Sequence, residues 1–102
     1  MAEHRAARVA EVPHDRGLRV TVAGHAIVLF RVCGGVRAYG AWCPHQFADL
    51  SDGWVDDGYV VCSNHLWCFS VDDGSMPGND IIRLPTYPSR IEDGWVFVEV
   101  TP

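Results

Sequence analysis

Turns ending in glycine punctuate this chain so often that short strands are the only regular elements that fit between them. Ala23-Gly24, Gly34-Gly35, Asp57-Gly58, Asp73-Gly74 and Asp93-Gly94 each follow or separate runs rich in valine, isoleucine and aromatic residues. Glycine adopts left-handed backbone without steric cost, and Asp-Gly between two apolar runs is a strong hairpin signal. Leu18, Val20 and Val22 alternate with Arg19 and Thr21, then Ala23-Gly24-His25 turns into Ala26–Phe30. Trp54-Val55 and Tyr59–Cys62 flank Asp57-Gly58, and Trp67–Val71 ends at Asp73-Gly74. Ser89–Val100 turns at Asp93-Gly94, with Trp95, Phe97 and Glu99 on one face and Val96, Val98 and Val100 on the other. Val9–Val12, stopped by Pro13, reads as an edge strand, because proline has no amide to give an interior ladder. Ser75–Asn79 reads as loop, and Pro85 and Pro88 keep the segment after it extended. No stretch sustains a 3.6-residue period. The expectation is an all-β sandwich or small barrel of about eight to ten short strands.

The 102 residues suit one domain, and 48% hydrophobic with 21% charged residues is an ordinary globular balance. No apolar run approaches the roughly 18 residues of a membrane span, and MAEHRAARVAEV lacks the apolar core of a signal peptide. A cytoplasmic protein is expected. There is no lysine, and thirteen acidic residues outweigh eight arginines for a net charge of -5. Nucleic acid and anionic membrane are poor partners for such a surface, whereas a protein with a basic docking face suits it.

The chemistry is concentrated in Cys43-Pro44-His45 and Cys62-Ser63-Asn64-His65, with sixteen residues between His45 and Cys62. Val36–Trp42 leads into the first pair, and Leu50-Ser51-Asp52-Gly53 closes its loop with turn residues. A reducing cytosol favours metal ligation over a disulfide frame for these cysteines. Two cysteines and two histidines also make a structural zinc site, but zinc fingers commonly draw both cysteines from one knuckle and both histidines from another. Here each loop supplies one of each. Two such loops, facing each other, would place Cys43 and Cys62 on one iron and His45 and His65 on a second, the ligand set of a Rieske centre.

Cys43-Pro44-His45-Gln46 and Cys62-Ser63-Asn64-His65-Leu66-Trp67, with Leu50-Ser51-Asp52-Gly53 between them, resemble the paired signature of Rieske ferredoxins. His65-Leu66-Trp67 followed by Phe69, then Asn79-Asp80, Leu84 and Tyr87-Pro88, is similar to the ferredoxin component of toluene-type diiron monooxygenases. Ferredoxins of ring-hydroxylating dioxygenases more often have glycine where Leu66 stands. The resemblance implies a Rieske-type iron-sulfur β-sandwich or barrel spanning 1–102, with a small cluster-binding subdomain of two loops at about 41–70. It implies one 2Fe-2S cluster on Cys43, His45, Cys62 and His65. It also implies a one-electron carrier, not an enzyme by itself, set between a flavin-dependent NADH reductase and an oxygenase hydroxylase component. Two ferric ions and two sulfides carry a net positive charge that two thiolates cancel, and neutral imidazoles add nothing. The oxidised centre is then neutral and the reduced one singly negative, and neutral ligands place the potential within about -150 to +300 mV. High-potential members tie the loops with an extra disulfide and set a hydroxyl donor near the sulfurs. Ala48 and Asn64 stand at the matching positions, so the low end is expected. A dioxygenase client is an alternative, and so is a non-redox module with zinc or no metal.

The remaining residues have plainer readings. Cys33 and Cys68 lie outside the pairs and read as buried free thiols. His4, His14 and His25 read as surface residues near a flexible start or in turns, and Asp56-Asp57 and Asp72-Asp73 as solvated turns. Trp42, Trp54 and Trp95 read as core. Trp67, two residues past His65, shields the site or faces a partner. Pro44 and Gln46 shape the first loop, while Phe47 and Leu66 are placed to form a small apolar docking patch around His45 and His65. No nucleophilic triad or paired carboxylate stands out.

Overall fold

The computed structural model describes residues 2–44, 48–63 and 66–100. Among them are twelve strands and two 3-10 turns, and no α-helix. The strands are β1 (Ala2–Arg8), β2 (Leu18–Val22), β3 (His25–Val32), β4 (Gly35–Gly40), β5 (Trp54–Asp56) and β6 (Tyr59–Val61). They continue with β7 (Cys68–Ser70), β8 (Ser75–Met76), β9 (Asn79–Arg83), β10 (Thr86–Tyr87), β11 (Ser89–Glu92) and β12 (Trp95–Val100). They form sheets β1-β12-β11, β10-β4-β3-β2, β5-β6-β7 and the hairpin β8-β9, all antiparallel and none closed into a barrel.

The four-stranded sheet is the middle layer. Successive strand residues point to opposite faces, and β3 is buried on both. Ile27 and Leu29 pack with Val36, Ala38, Val96, Val98 and Val100 towards the β1-β12-β11 sheet. Val28, Phe30 and Val32 pack with Tyr39, Val60, Phe69 and Val71 towards β5-β6-β7. Double burial is why Ile27–Phe30 is an unbroken apolar run while β12 alternates. Both cysteines of the Cys/His pairs belong to the second of these cores.

Four hairpins share one turn geometry. Ala23-Gly24, Cys33-Gly34, Asp57-Gly58 and Asp93-Gly94 have positive φ at both positions, 49° to 52° at the first and 79° to 82° at the glycine. Turns of this hand match the twist of the strands they join. The second hairpin therefore turns at Cys33-Gly34, not Gly34-Gly35, because Gly35 already pairs with Val32. That placement also corrects Cys33, which is exposed at the turn and not buried.

Three other expectations change. Val9–Glu11 is a 3-10 turn, and the strand lies before it at Ala2–Arg8, paired with β12. Glu11 accepts from the Arg8 amide at 2.9 Å, and the Arg31 guanidinium donates to the Val9 and Val12 carbonyls at 2.7 and 2.8 Å, so the apolar run is held as a turn. His4 consequently sits in a paired strand, opposite Val98. Ser75–Asn79 belongs to the β8-β9 hairpin around Pro77-Gly78 and is not plain loop.

The end of β7 is fixed from the middle sheet. The buried Tyr39 hydroxyl donates to the Val71 carbonyl at 2.6 Å, and Arg37 Nη1 donates to the same oxygen at 3.3 Å. Burial pushes the Tyr39 phenol up to about 12, since the phenolate loses solvation there. Stability from the neutral hydroxyl is then full below the unfolded-state value near 10 and is lost as pH rises through 12. Tyr39→Phe should cost about 1 kcal/mol at pH 7, and denaturant titrations should show the gap to the parent protein narrowing between pH 10 and 12. A gap constant over that range would contradict the assignment.

Candidate metal centre

Both Cys/His loops grow from hairpin necks of the same construction. In the first, the Leu50 amide donates to the Ala41 carbonyl at 2.9 Å, Trp42 and Asp49 form a bridge, and the Cys43 amide donates to the Ala48 carbonyl at 2.8 Å. In the second, Val61 pairs with Cys68, and the Cys62 amide donates to the Trp67 carbonyl at 2.8 Å. Each cysteine thus closes its loop by bonding the residue five places on. Four residues remain at each tip, Pro44-His45-Gln46-Phe47 and Ser63-Asn64-His65-Leu66. His45, Gln46, Phe47, Asn64 and His65 lie outside the described residues.

Cys43 and Cys62 are buried in one apolar core. Two thiols held at equivalent positions under two tips suit a metal group bound through sulfur from the protein side. None of the four cysteines forms a disulfide. Pro44 is half-buried at the start of its tip. Leu66 is 62% exposed at the other tip, with φ of 56°, a left-handed conformation uncommon for a residue with a side chain. Trp67 is half-buried against the core that holds both cysteines. Cys68 is half-buried, and its Sγ lies 3.5 Å from the Leu66 carbonyl, which it can hydrogen-bond.

Residues outside the Cys/His motif brace the first neck. Asp49 Oδ1 accepts from the Ser51 amide at 2.9 Å and from its hydroxyl at 2.7 Å, while Oδ2 meets Arg19 at 3.1 Å. The Arg19 guanidinium also lies 5.3 Å above the Trp42 ring. Asp49-x-Ser51 is a readable Asx turn, but nothing in the sequence ties Arg19 to it. Trp42 and Trp54 are 43% and 36% exposed, so neither is the core residue expected. Trp95 is half-buried, with Arg5 and Arg8 at 4.6 and 4.4 Å over its ring.

Gly53 joins the two loops. It ends the 3-10 turn Leu50–Asp52, donating its amide to the Leu50 carbonyl, and a Cβ there would strike the Val61 carbonyl oxygen one residue before Cys62.

Comparison with known proteins agrees with this geometry. The model of the Rieske [2Fe-2S] domain family matches residues 2–88. The ferredoxin component of the alkene monooxygenase system of Xanthobacter autotrophicus is 33% identical over 82 residues, 79% of this chain and 67% of that protein. The 3-phenylpropionate/cinnamic acid dioxygenase ferredoxin subunit of Escherichia coli is 34% identical over 96 residues, 90% and 88% of the two chains. Among solved structures, the Sphingomonas yanoikuyae B1 ferredoxin superposes with a TM-score of 0.84 at 29% identity, covering 98% of this chain and all of that one.

Gly53→Ala should destabilise the fold by about 1–3 kcal/mol through overpacking and speed loss of metal on dilution. Gly35→Ala is the control, since its Cβ would meet only the Val32 carbonyl at 3.7 Å. Equal melting temperatures for the two variants would contradict the close approach.

Proposed function

Because the chain belongs to the Rieske [2Fe-2S] domain family and takes that family's single 2Fe-2S cluster, we propose that it is a one-electron carrier between a flavin-dependent NADH reductase and the hydroxylase of a multicomponent diiron monooxygenase. Residues 1–102 act as one domain, with the cluster-binding part at about 41–70. Cys43 and Cys62 hold one iron and His45 and His65 the other. When bound, the group accepts and returns one electron without making or breaking a bond to substrate. The observation that carries the reading is the pair of equivalent necks, which bury both thiols and leave a four-residue tip beyond each.

The chain's own residues supply anchoring and shape. Asp49, Ser51 and Arg19 hold the first neck, Gly53 seats it against the second, and Trp67 packs beneath the second tip. Pro44 and Gln46 shape the first tip, and Phe47 with Leu66 gives the two tips apolar surface. The protein works in the cytoplasm, where NADH is available, and among the described residues no helix is long and apolar enough to cross a membrane. A dioxygenase client is the second reading, favoured by the 34% identity to a dioxygenase ferredoxin over most of both chains.

Purified protein should be coloured, with two irons and two acid-labile sulfides per chain, and should be required for NADH-driven hydroxylation in a reconstituted system. A colourless preparation holding one zinc, or coupled turnover without it, would overturn the reading. Cross-feeding to both oxygenase types separates the clients. The midpoint potential should fall near the low end of about -150 to +300 mV, since no disulfide joins the loops and Ala48 brings no hydroxyl. A strongly positive midpoint in protein-film voltammetry would contradict this.

A further inference from the structure

The charge of this chain is segregated. Residues 38–82 contain seven aspartates and no arginine or lysine, so all eight arginines lie before or after the segment that carries both loops. Arg19 reaches back to Asp49 and Arg37 to Asp72, at 3.1 and 3.6 Å. Asp52, Asp56 and Asp57 are exposed and enter no ion pair among the described residues.

The register of β5-β6-β7 sets what lies beside those acids. Val55, Val60 and Phe69 are cross-strand partners and pack into the core. Trp54, Val61 and Cys68 are the adjacent set of partners and so occupy the opposite, outer face. Trp54 is exposed there and Cys68 half-buried, while Val61 between them is buried, so the open apolar surface of this face is Trp54 at one edge and, past Cys68 at the other, Leu66. Two residues farther along each strand the same face carries Asp56, Tyr59 and Ser70, and the hairpin turns at Asp57-Gly58. At the other edge Cys68 reaches the exposed Leu66 through its contact with the Leu66 carbonyl.

The outer face of the β1-β12-β11 sheet is finished differently. Arg5 and Arg8 cover Trp95, and Arg90 lies 4.5 Å over Phe97. No cation covers Trp54 among the described residues. Exposed Trp54 and Leu66, edged by carboxylates that form no ion pair among the described residues, are complementary to an apolar recess rimmed by lysine and arginine.

Resting on the proposed function and deepening it, we infer that the outer face of β5-β6-β7, with Leu66, is the docking surface for the oxygenase component, which meets it through an apolar recess with a basic rim. A partner seated there also covers the Leu66 end of the second loop. Leu66 keeps its left-handed backbone because a leucine at that tip adds to the apolar surface, where glycine would cost no strain and offer no contact.

Titration calorimetry of the cluster-loaded protein against the oxygenase tests this across ionic strength. Trp54→Ala should raise Kd at least about fivefold, as truncating a central aromatic anchor does. Asp56→Asn with Asp57→Asn should flatten the salt dependence of Kd. Leu66→Gly relieves strain, so it should fold at least as well as the parent and still raise Kd, which keeps the test decisive if Trp54→Ala folds poorly. In wild-type protein, oxygenase should protect Asp56 and Asp57 from carboxyl labelling. Saturable binding unchanged in all variants would overturn the surface while leaving the carrier role intact. Slower reduction by the reductase with unchanged oxygenase Kd would assign the face to the reductase instead. No binding of wild-type protein to an oxygenase would overturn both.

Discussion

Two backbone hydrogen bonds set the geometry on which the rest depends. By bonding Ala48 and Trp67, each five residues on, Cys43 and Cys62 turn two unrelated sequences into loops of the same span. The unequal motifs, Cys-x-His and Cys-x-x-His, then differ only in which tip position carries the imidazole. The identical closures put both cysteines in the Val60 and Phe69 core, so the two proposed sulfur ligands are seated in packed protein. A carrier gains from this, because a centre that stays put on changing charge costs little to reorganise.

That core exists because the middle sheet is apolar on both faces. A two-layer sandwich would need β3 to alternate, whereas Ile27–Phe30 feeds two cores at once. One core ties β3 to β12 and makes the base, and the other ties it to β6 and β7 and makes the floor under the loops. Tyr39 crosses the same divide from β4, reaching Val71 with its hydroxyl. The loops therefore stand on three layers and not on a free-standing hairpin pair.

Much of this was legible in the sequence, and what was not has identifiable causes. Asp57-Gly58 and Asp93-Gly94 marked hairpins because turn chemistry is local, and the alternation of β12 separated its two faces correctly without saying which of them is buried. Val9–Val12 misled because an apolar run says nothing of where a distant arginine will be, and Arg31 bonds the two carbonyls that make the run a turn. Cys33 misled because cysteine is usually buried, while the two-residue turn geometry overrode that habit. Trp42 and Trp54 were assigned to the core from their size. Pairing placed Trp54 on the outer face, and Arg19 offered Trp42 cover outside the core. The Cys/His pairs and the likeness of their two loops were visible as residues, but the closures that produce it were not, since they lie in main-chain bonds.

The segregation of charge gives the two flanks of the site different chemistry. At the base of the first loop, Arg19 both stacks on Trp42 and pairs with Asp49, so there the carboxylate and the exposed ring already have a cation. At the base of the second, exposed Trp54 borders Asp56 and Asp57, which form no ion pair among the described residues. Close to the site the first flank is already satisfied, and only the second gains by meeting a basic, apolar surface. Long-range attraction to a cationic partner falls off over roughly 8 Å at physiological salt, so steering can bring a partner to the acidic segment but cannot seat it. Seating belongs to Trp54 and Leu66, whose burial needs contact. One surface thus separates encounter from docking. A carrier that must leave as readily as it arrives is served by a small apolar surface whose hold is short-ranged and by carboxylates whose pull is weak once salt intervenes.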